Sequence, residues 1–94
     1  MALVFEWDEK KAKSNKKKHG ITFEEASTAF ADDLSITIED PLHNDKEDRL
    51  ILIGLSKASN TLVVVHVERA EVLRIISARK ATKKEKNFYE ENMS

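Results

Sequence analysis

Thr61-Leu62-Val63-Val64-Val65-His66-Val67-Glu68-Arg69-Ala70-Glu71-Val72-Leu73-Arg74-Ile75-Ile76-Ser77-Ala78 is the stretch that decides the fold. Thr61 to Val67 is dense in β-branched side chains, which suit a pleated, half-buried surface better than a helix. Glu71 to Ala78 follows after a tight loop at Arg69-Ala70, so the two runs must pair antiparallel. Working back along the chain, Leu50 to Leu55 is an apolar run broken by Gly54, and Lys57-Ala58-Ser59-Asn60 is the turn that joins it to Thr61. Ser35-Ile36-Thr37-Ile38-Glu39 alternates as a strand does. The loop Asp40 to Asp48 holds the only Pro and, with Glu39, five acids.

Nearer the N-terminus, Leu3 to Trp7 reads as a short strand and Asp8 as a helix N-cap. Glu9 to His19 is a Lys-rich helix with Gly20 at its C′ position. Ala12 is its only non-polar side chain, so it is expected on the surface, held by Trp7 and lysine stems. Thr22-Phe23-Glu24-Glu25 forms a capping box that opens a second helix, with a stripe of Phe23, Ala26, Ala29 and Phe30 ended by Asp32-Asp33. Thr82-Lys83-Lys84-Glu85 is a second capping box, opening a helix to about Asn92. The order β-α-α-β-β-β-β-α predicts an α+β chain, an antiparallel meander with two N-terminal helices after a short first strand and one C-terminal helix. Residues 1–94 are read as one domain.

Of the 94 residues, 40% are apolar and 35% charged, with a net charge of −1. With no Cys there is no disulfide frame, thiolate metal site or cysteine nucleophile. No apolar run nears the roughly 20 residues needed to cross a bilayer, and Met1 to Phe5 runs into charge unlike a signal peptide, so a cytoplasmic, non-membrane protein is expected. The near-neutral total hides a pattern. Residues 1–19 carry six Lys against three acids, residues 20–50 two bases against nine acids, and residues 51–94 eight bases against five acids. If folding joins the two basic ends, a positive face results that attracts a polyanion.

Two isolated Gly cannot form a phosphate loop, and His19, His43 and His66 lack metal-ligand spacing. The acidic loop (Glu39, Asp40, Asp45, Glu47, Asp48) lacks the alternation and Gly of a calcium loop, so no metal or cofactor is expected. His66 lies in an apolar strand, on the face of Leu62 and Val64: either a packed, half-buried histidine or a titratable group near a ligand. Arg69, Arg74 and Arg79 cluster on one hairpin, and Arg grips phosphate bidentately without losing its charge. A three-residue loop would set His66 opposite Arg74, and a two-residue loop would shift that register. In an unbroken strand Arg74 and Arg79, five apart, point to opposite faces. Lys18-His19-Gly20 places a cation and an imidazole at a helix C-terminus, where the dipole favours positive charge.

Phe5-Glu6-Trp7-Asp8, Asn15, Lys18-His19-Gly20, Phe23 with Glu25-Ala26, and Phe30 resemble the N-terminal half of the BrnT toxins. Ile53-Gly54, Val64-Val65-His66-Val67-Glu68-Arg69, Arg74-Ile75-Ile76-Ser77-Ala78-Arg79-Lys80-Ala81, Glu85 and Tyr89-Glu90 resemble the C-terminal half. Val67 stands where the family often has Thr, and Asp32-Asp33 where it often has Asp-Pro. The resemblance implies a RelE-like fold and a ribonuclease toxin of a type II toxin–antitoxin system. It also implies neutralisation by a BrnA-type antitoxin, with operator DNA bound only through the complex, usually a heterotetramer. A metal-free ribonuclease needs a base for the 2′-OH, an acid for the 5′-oxygen and cations for the phosphate. The family motifs carry over most cleanly to Lys18, Arg69 and Arg79. On that reading Arg69 and Arg79 are phosphate clamps and Arg74 a weaker third. Lys18 with His19 supplies a cation or acid, His66 or Glu68 the base, and Glu85 orients an arginine. The rival readings are a non-catalytic protein-binding or corepressor module, and a general RNA-binding domain, for which the strand aromatics are too few beyond Phe5 and Trp7.

Overall fold

The computed structural model describes residues 3–41 and 48–92. His43, Asp45 and Glu47 of the acidic loop lie outside the described residues. The elements run β1 (Val4–Glu6), α1 (Glu9–His19), α2 (Phe23–Thr28), a 3-10 turn (Ala29–Ala31), β2 (Ile36–Glu39), β3 (Arg49–Leu55), β4 (Thr61–Arg69), β5 (Val72–Lys80) and α3 (Lys83–Glu91). One sheet holds the strands in the order β1-β5-β4-β3-β2. β2 to β5 form an antiparallel meander, whereas β1 pairs with β5 in parallel. That parallel edge departs from an all-antiparallel sheet. It follows from α1, which carries the chain away from β1 before it returns.

Helices cover both faces of the sheet. On the first face Ile21, Phe23 and Ala26 pack with Leu62, Val64, Ile75 and Ala78, and Phe5, Trp7, Ala12 and Phe30 close around them. On the second face Tyr89 of α3 packs with Ile53 and Val63. Its hydroxyl donates to Asp32, which also accepts from the backbone N–H groups of Leu34 and Leu55. Burial and the Asp32 carboxylate together push the Tyr89 phenol up to about 12.

The local signals act as expected at α1. Asp8 accepts from the N–H groups of Lys10 and Lys11, and Gly20 ends the helix at φ 74°. The buried anchor of this helix is a polar side chain. Asn15, 7% exposed, donates to the carbonyls of Ala78 (2.8 Å) and Ile21 (3.0 Å) and accepts from the Ala78 N–H (3.1 Å). One amide thus completes the edge of β5 beyond the end of β1. The Thr22 capping box is half made. Thr22 accepts from the Glu25 N–H, but the Glu25 carboxylate turns instead to Ser56 and Asn60 in the β3–β4 turn. Gly54 is required by close approach, since a Cβ there would lie 3.0 Å from the Ala29 carbonyl oxygen.

Two features of the β4–β5 hairpin differ from the simplest strand reading. Arg69 pairs with Val72, so the loop is the two residues Ala70-Glu71, with Ala70 at φ 54°. His66 therefore stands opposite Ile75, and Arg74 opposite Val67 on the other face. The register also jumps: Val65 pairs with Ser77 and His66 with Ile75, leaving Ile76 as an extra residue. This bulge reverses the expected divergence of Arg74 and Arg79, because one extra residue flips the side-chain alternation beyond it. Arg74 and Arg79 share the second face.

Candidate functional site

The register lays a row of arginines on the second face. Arg79 lies across from Val63, Arg74 from Val67, and Arg69 from Val72, with Ser77 between Arg74 and Arg79. At the Val67 level Arg49 of β3 flanks the same face from the other side. The row is long. Arg69 of β4, level with Val72, and Arg79, near the end of β5, are about 20 Å apart at a rise of roughly 3.3 Å per residue. That exceeds the reach of two side chains to one phosphate.

Arg79 is held by α3. Its two terminal nitrogens donate to the two oxygens of Glu85 at 2.7 and 2.8 Å, a fork-to-fork pair. Glu85 also accepts from the Thr82 N–H, while Thr82 Oγ1 accepts from the Glu85 N–H, so this second capping box is complete. One carboxylate therefore caps the helix and orients the arginine. The Arg79 hydrogen bonds, with the cap bond, hold the Glu85 carboxyl at about 2. Its partnership raises the Arg79 pKa. At neutral pH Glu85 is ionised and carries no transferable proton. Arg74 donates to Glu6 of β1 at 2.9 Å, a half-exposed pair across the parallel edge.

His66 is not with the arginines. It is 2% exposed on the first face, its ring edge-to-face with Phe30 at 4.8 Å and its Nδ1 3.3 Å from the Val64 carbonyl oxygen. Burial pushes its pKa down, the Val64 carbonyl and Glu68 opposing, so the ring is neutral at pH 7. The side chain expected to be half-buried is a core residue. Glu68 is exposed on the same first face, one rung further along β4.

Lys18 and His19 are exposed in the last turn of α1. Asn15, one turn earlier, holds Ala78, and Ile21, just beyond, packs with Leu62 and Ala78. The helix thus ends at the Ala78 level of β5 on the side of the first face, whereas Arg79, one residue on, lies on the second face. The eight residues singled out in the sequence accordingly fall into three places. Lys18, His19, Arg79 and Glu85 are at one end of the sheet, and Arg69 and Arg74 at the other end of the second face. His66 and Glu68 are on the first face.

Sequence reasoning passed over three features here. Asn15 stood among the matching positions but had no assigned role, and its signal was a lone amide in a lysine helix. Arg49 was only a base beside an acidic loop. Lys80 and Lys86 were part of a charge run, yet both line a shallow depression of about 150 Å³ with Ser59, Asn60, Thr61 and Ala81. Among the described residues no three His, Asp or Glu side chains gather as a metal site. No helix among them is long and apolar enough to cross a membrane.

Residues 7–85 match the family described as the ribonuclease toxin, BrnT, of the type II toxin-antitoxin system. The chain belongs to the BrnT family. Among solved structures it is similar to the Brucella abortus ribonuclease toxin BrnT, at 25% identity and a TM-score of 0.63, over 87% of this chain and 100% of that one. No curated protein matches it. The five-stranded sheet with three helices is therefore a BrnT architecture, and the family is one of ribonuclease toxins.

Proposed function

We propose that this BrnT-family chain is the toxin of a type II system, an endoribonuclease that cuts RNA by attack of its own 2′-OH, without a metal. The observation that carries the reading is the arginine row on one sheet face, aligned by the β5 bulge in a chain of ribonuclease-toxin family. Cations that cannot lose their charge stabilise a phosphate as negative charge builds on it. The reacting phosphate belongs at the Arg79 end, where Lys18 and His19 are exposed. An imidazole is the side chain best able to exchange a proton near neutral pH, so His19 takes the acid–base role in place of the sealed His66. Glu85 keeps Arg79 in its fork. Arg69, too far away to share that phosphate, and Arg74, between the two, hold the strand further along.

The cell-level part of the proposal follows the family. A BrnA-type antitoxin binds the chain directly and silences it in the cytoplasm, and the complex represses its own operon. The acidic segment 39–48, most of which lies outside the described residues, is proposed with α2 to bind the antitoxin, because a DNA-binding antitoxin is often basic outside its toxin-binding part. The second reading, a non-catalytic corepressor module, is favoured by one observation: Arg74 and Arg79 both already sit in ion pairs.

Expression of the wild type and of Arg79→Lys without antitoxin, followed by RNA integrity analysis, separates the two. Arg79→Lys keeps the charge and loses the fork. The nuclease reading expects growth arrest and RNA cleavage by the wild type, with the purified variant roughly a hundredfold slower. It also expects wild-type cleavage to survive EDTA. Intact RNA and normal growth favour the corepressor, and inhibition by chelator restored by magnesium ends the metal-free mechanism.

A further inference from the structure

Apart from Glu85, which caps its first turn, the charges of α3 run against its dipole. Lys83 and Lys84 occupy its first turn, no base lies in its last turn, and Glu90 and Glu91 stand at its C-terminal end. Cations near a helix N-terminus and carboxylates near its C-terminus both oppose the macrodipole. Helix stability does not call for this arrangement. The lysines project where β5 hands over to α3, beside Lys80. Lys86 shares the depression with Lys80, and α1 brings Lys18 to the same end of the sheet. All five lysines are exposed. Two nearby carboxylates are already engaged, Glu85 by Arg79 and Glu25 by Ser56 and Asn60. Lys80 and Lys86 share one depression, and Lys83 and Lys84 lie between them in the chain, next to the Arg79–Glu85 pair.

We infer that Lys80, Lys83, Lys84 and Lys86 form a subsite for the sugar-phosphate backbone of a single RNA strand, continuing from the phosphate at Arg79 and Lys18. The inference deepens the ribonuclease reading and rests on it. Lysine is a flexible point charge that follows a backbone without reading bases. A single strand, rather than a duplex, can bend around cations set about the start of one helix and lead into a site where one 2′-OH must reach in-line geometry.

The test is the double variant Lys83→Glu, Lys84→Glu, whose new carboxylates agree with the helix dipole, so its Tm is expected at or above the wild-type value. The probe is a single-stranded 2′-O-methyl RNA oligonucleotide, which has no nucleophile and reports binding alone. The expected result is at least a tenfold loss of affinity. The slope of log affinity against log salt should become shallower by about 1.4, since each cation contributes roughly 0.7 on single strands. On cleavable RNA, KM rises and kcat is kept. Unchanged affinity and salt slope in a folded variant overturn the subsite, as does an equal loss on duplex DNA of the same length. If the Tm falls, Lys83→Gln, Lys84→Gln is measured instead, against the same criteria. A wild type that binds the probe through these lysines yet leaves cleavable RNA intact supports the subsite as an RNA-binding surface and refutes the nuclease reading.

Discussion

Replacing Asn15 by Asp changes one atom pair and should destabilise the fold by several kcal/mol at neutral pH. The Asn15 amide makes three buried hydrogen bonds, donating to the carbonyls of Ala78 and Ile21 and accepting from the Ala78 N–H. In Asn15→Asp the acceptor oxygen remains, but an anionic oxygen faces two carbonyl oxygens where an NH2 stood. Two bonds are lost, each about 1 kcal/mol net, and two buried carbonyls lose their donor at a further 1 kcal/mol or so apiece. The expected loss is about 3–4 kcal/mol, against a total stability of roughly 5–14 kcal/mol for a chain of this size. For so small a domain that lowers Tm by very roughly 15–25 °C. The carbonyls disfavour the anion, so the pKa of the introduced carboxyl is raised in the folded state. A raised group is best tolerated while protonated. Stability should therefore recover as pH falls toward 4 and be lost again as pH rises through the folded pKa. Urea melts of the wild type and Asn15→Asp at pH 7.5 and pH 4.5 measure this. A variant as stable as wild type at pH 7.5, or with the same deficit at both pH values, would refute the account of Asn15 as the anchor of α1.

Gly54→Ala should cost about 1–3 kcal/mol, because the added Cβ meets the Ala29 carbonyl oxygen and the Ser35 Cβ at 3.0 Å and the backbone must shift; equilibrium melts with unchanged Tm would contradict it. Ala70→Gly should stabilise by about 0.5–1 kcal/mol, since Ala70 holds φ 54° where a Cβ is unfavourable, and a lower Tm would count against the turn as described. Glu85, held at about 2 from an ordinary 4.5, contributes stability that is present above pH 4.5 and lost as pH falls through 2. An NMR titration of its carboxyl should place the midpoint near 2 in the wild type, and a midpoint near 4 would show that the Arg79 fork does not persist in solution.

Much of the fold could be read from local chemistry. Asp8 and Gly20 bounded α1, Thr82 and Glu85 marked the start of α3, and the valine run marked β4, because caps and branched strands leave signals within a few residues. The site was less legible, because its geometry depends on two backbone events with no such signal. The bulge leaves Ile76 beside the like side chain Ile75, so nothing in Leu73 to Ala78 announces that Arg74 changes face. The two-residue loop has Ala70, not Gly, at its left-handed position, so the hairpin register was open by one residue. His66 looked like a choice between packing and chemistry. The choice fell to packing because Phe30, from the 3-10 turn after the second helix, closes over its ring. Asn15 escaped because the strand it completes, at Ala78, is 63 residues away in sequence.

The sheet margins are short. β1 has three residues and β2 four, each ending in a glutamate, Glu6 and Glu39. Where β5 outruns β1, the Asn15 amide occupies the vacant rung at Ala78. A polypeptide that presents so little open ladder, with acidic gatekeepers at both margins, gives a stray extended chain few places to add on. Such a molecule is suited to accumulate in a crowded cell without seeding fibrous aggregates.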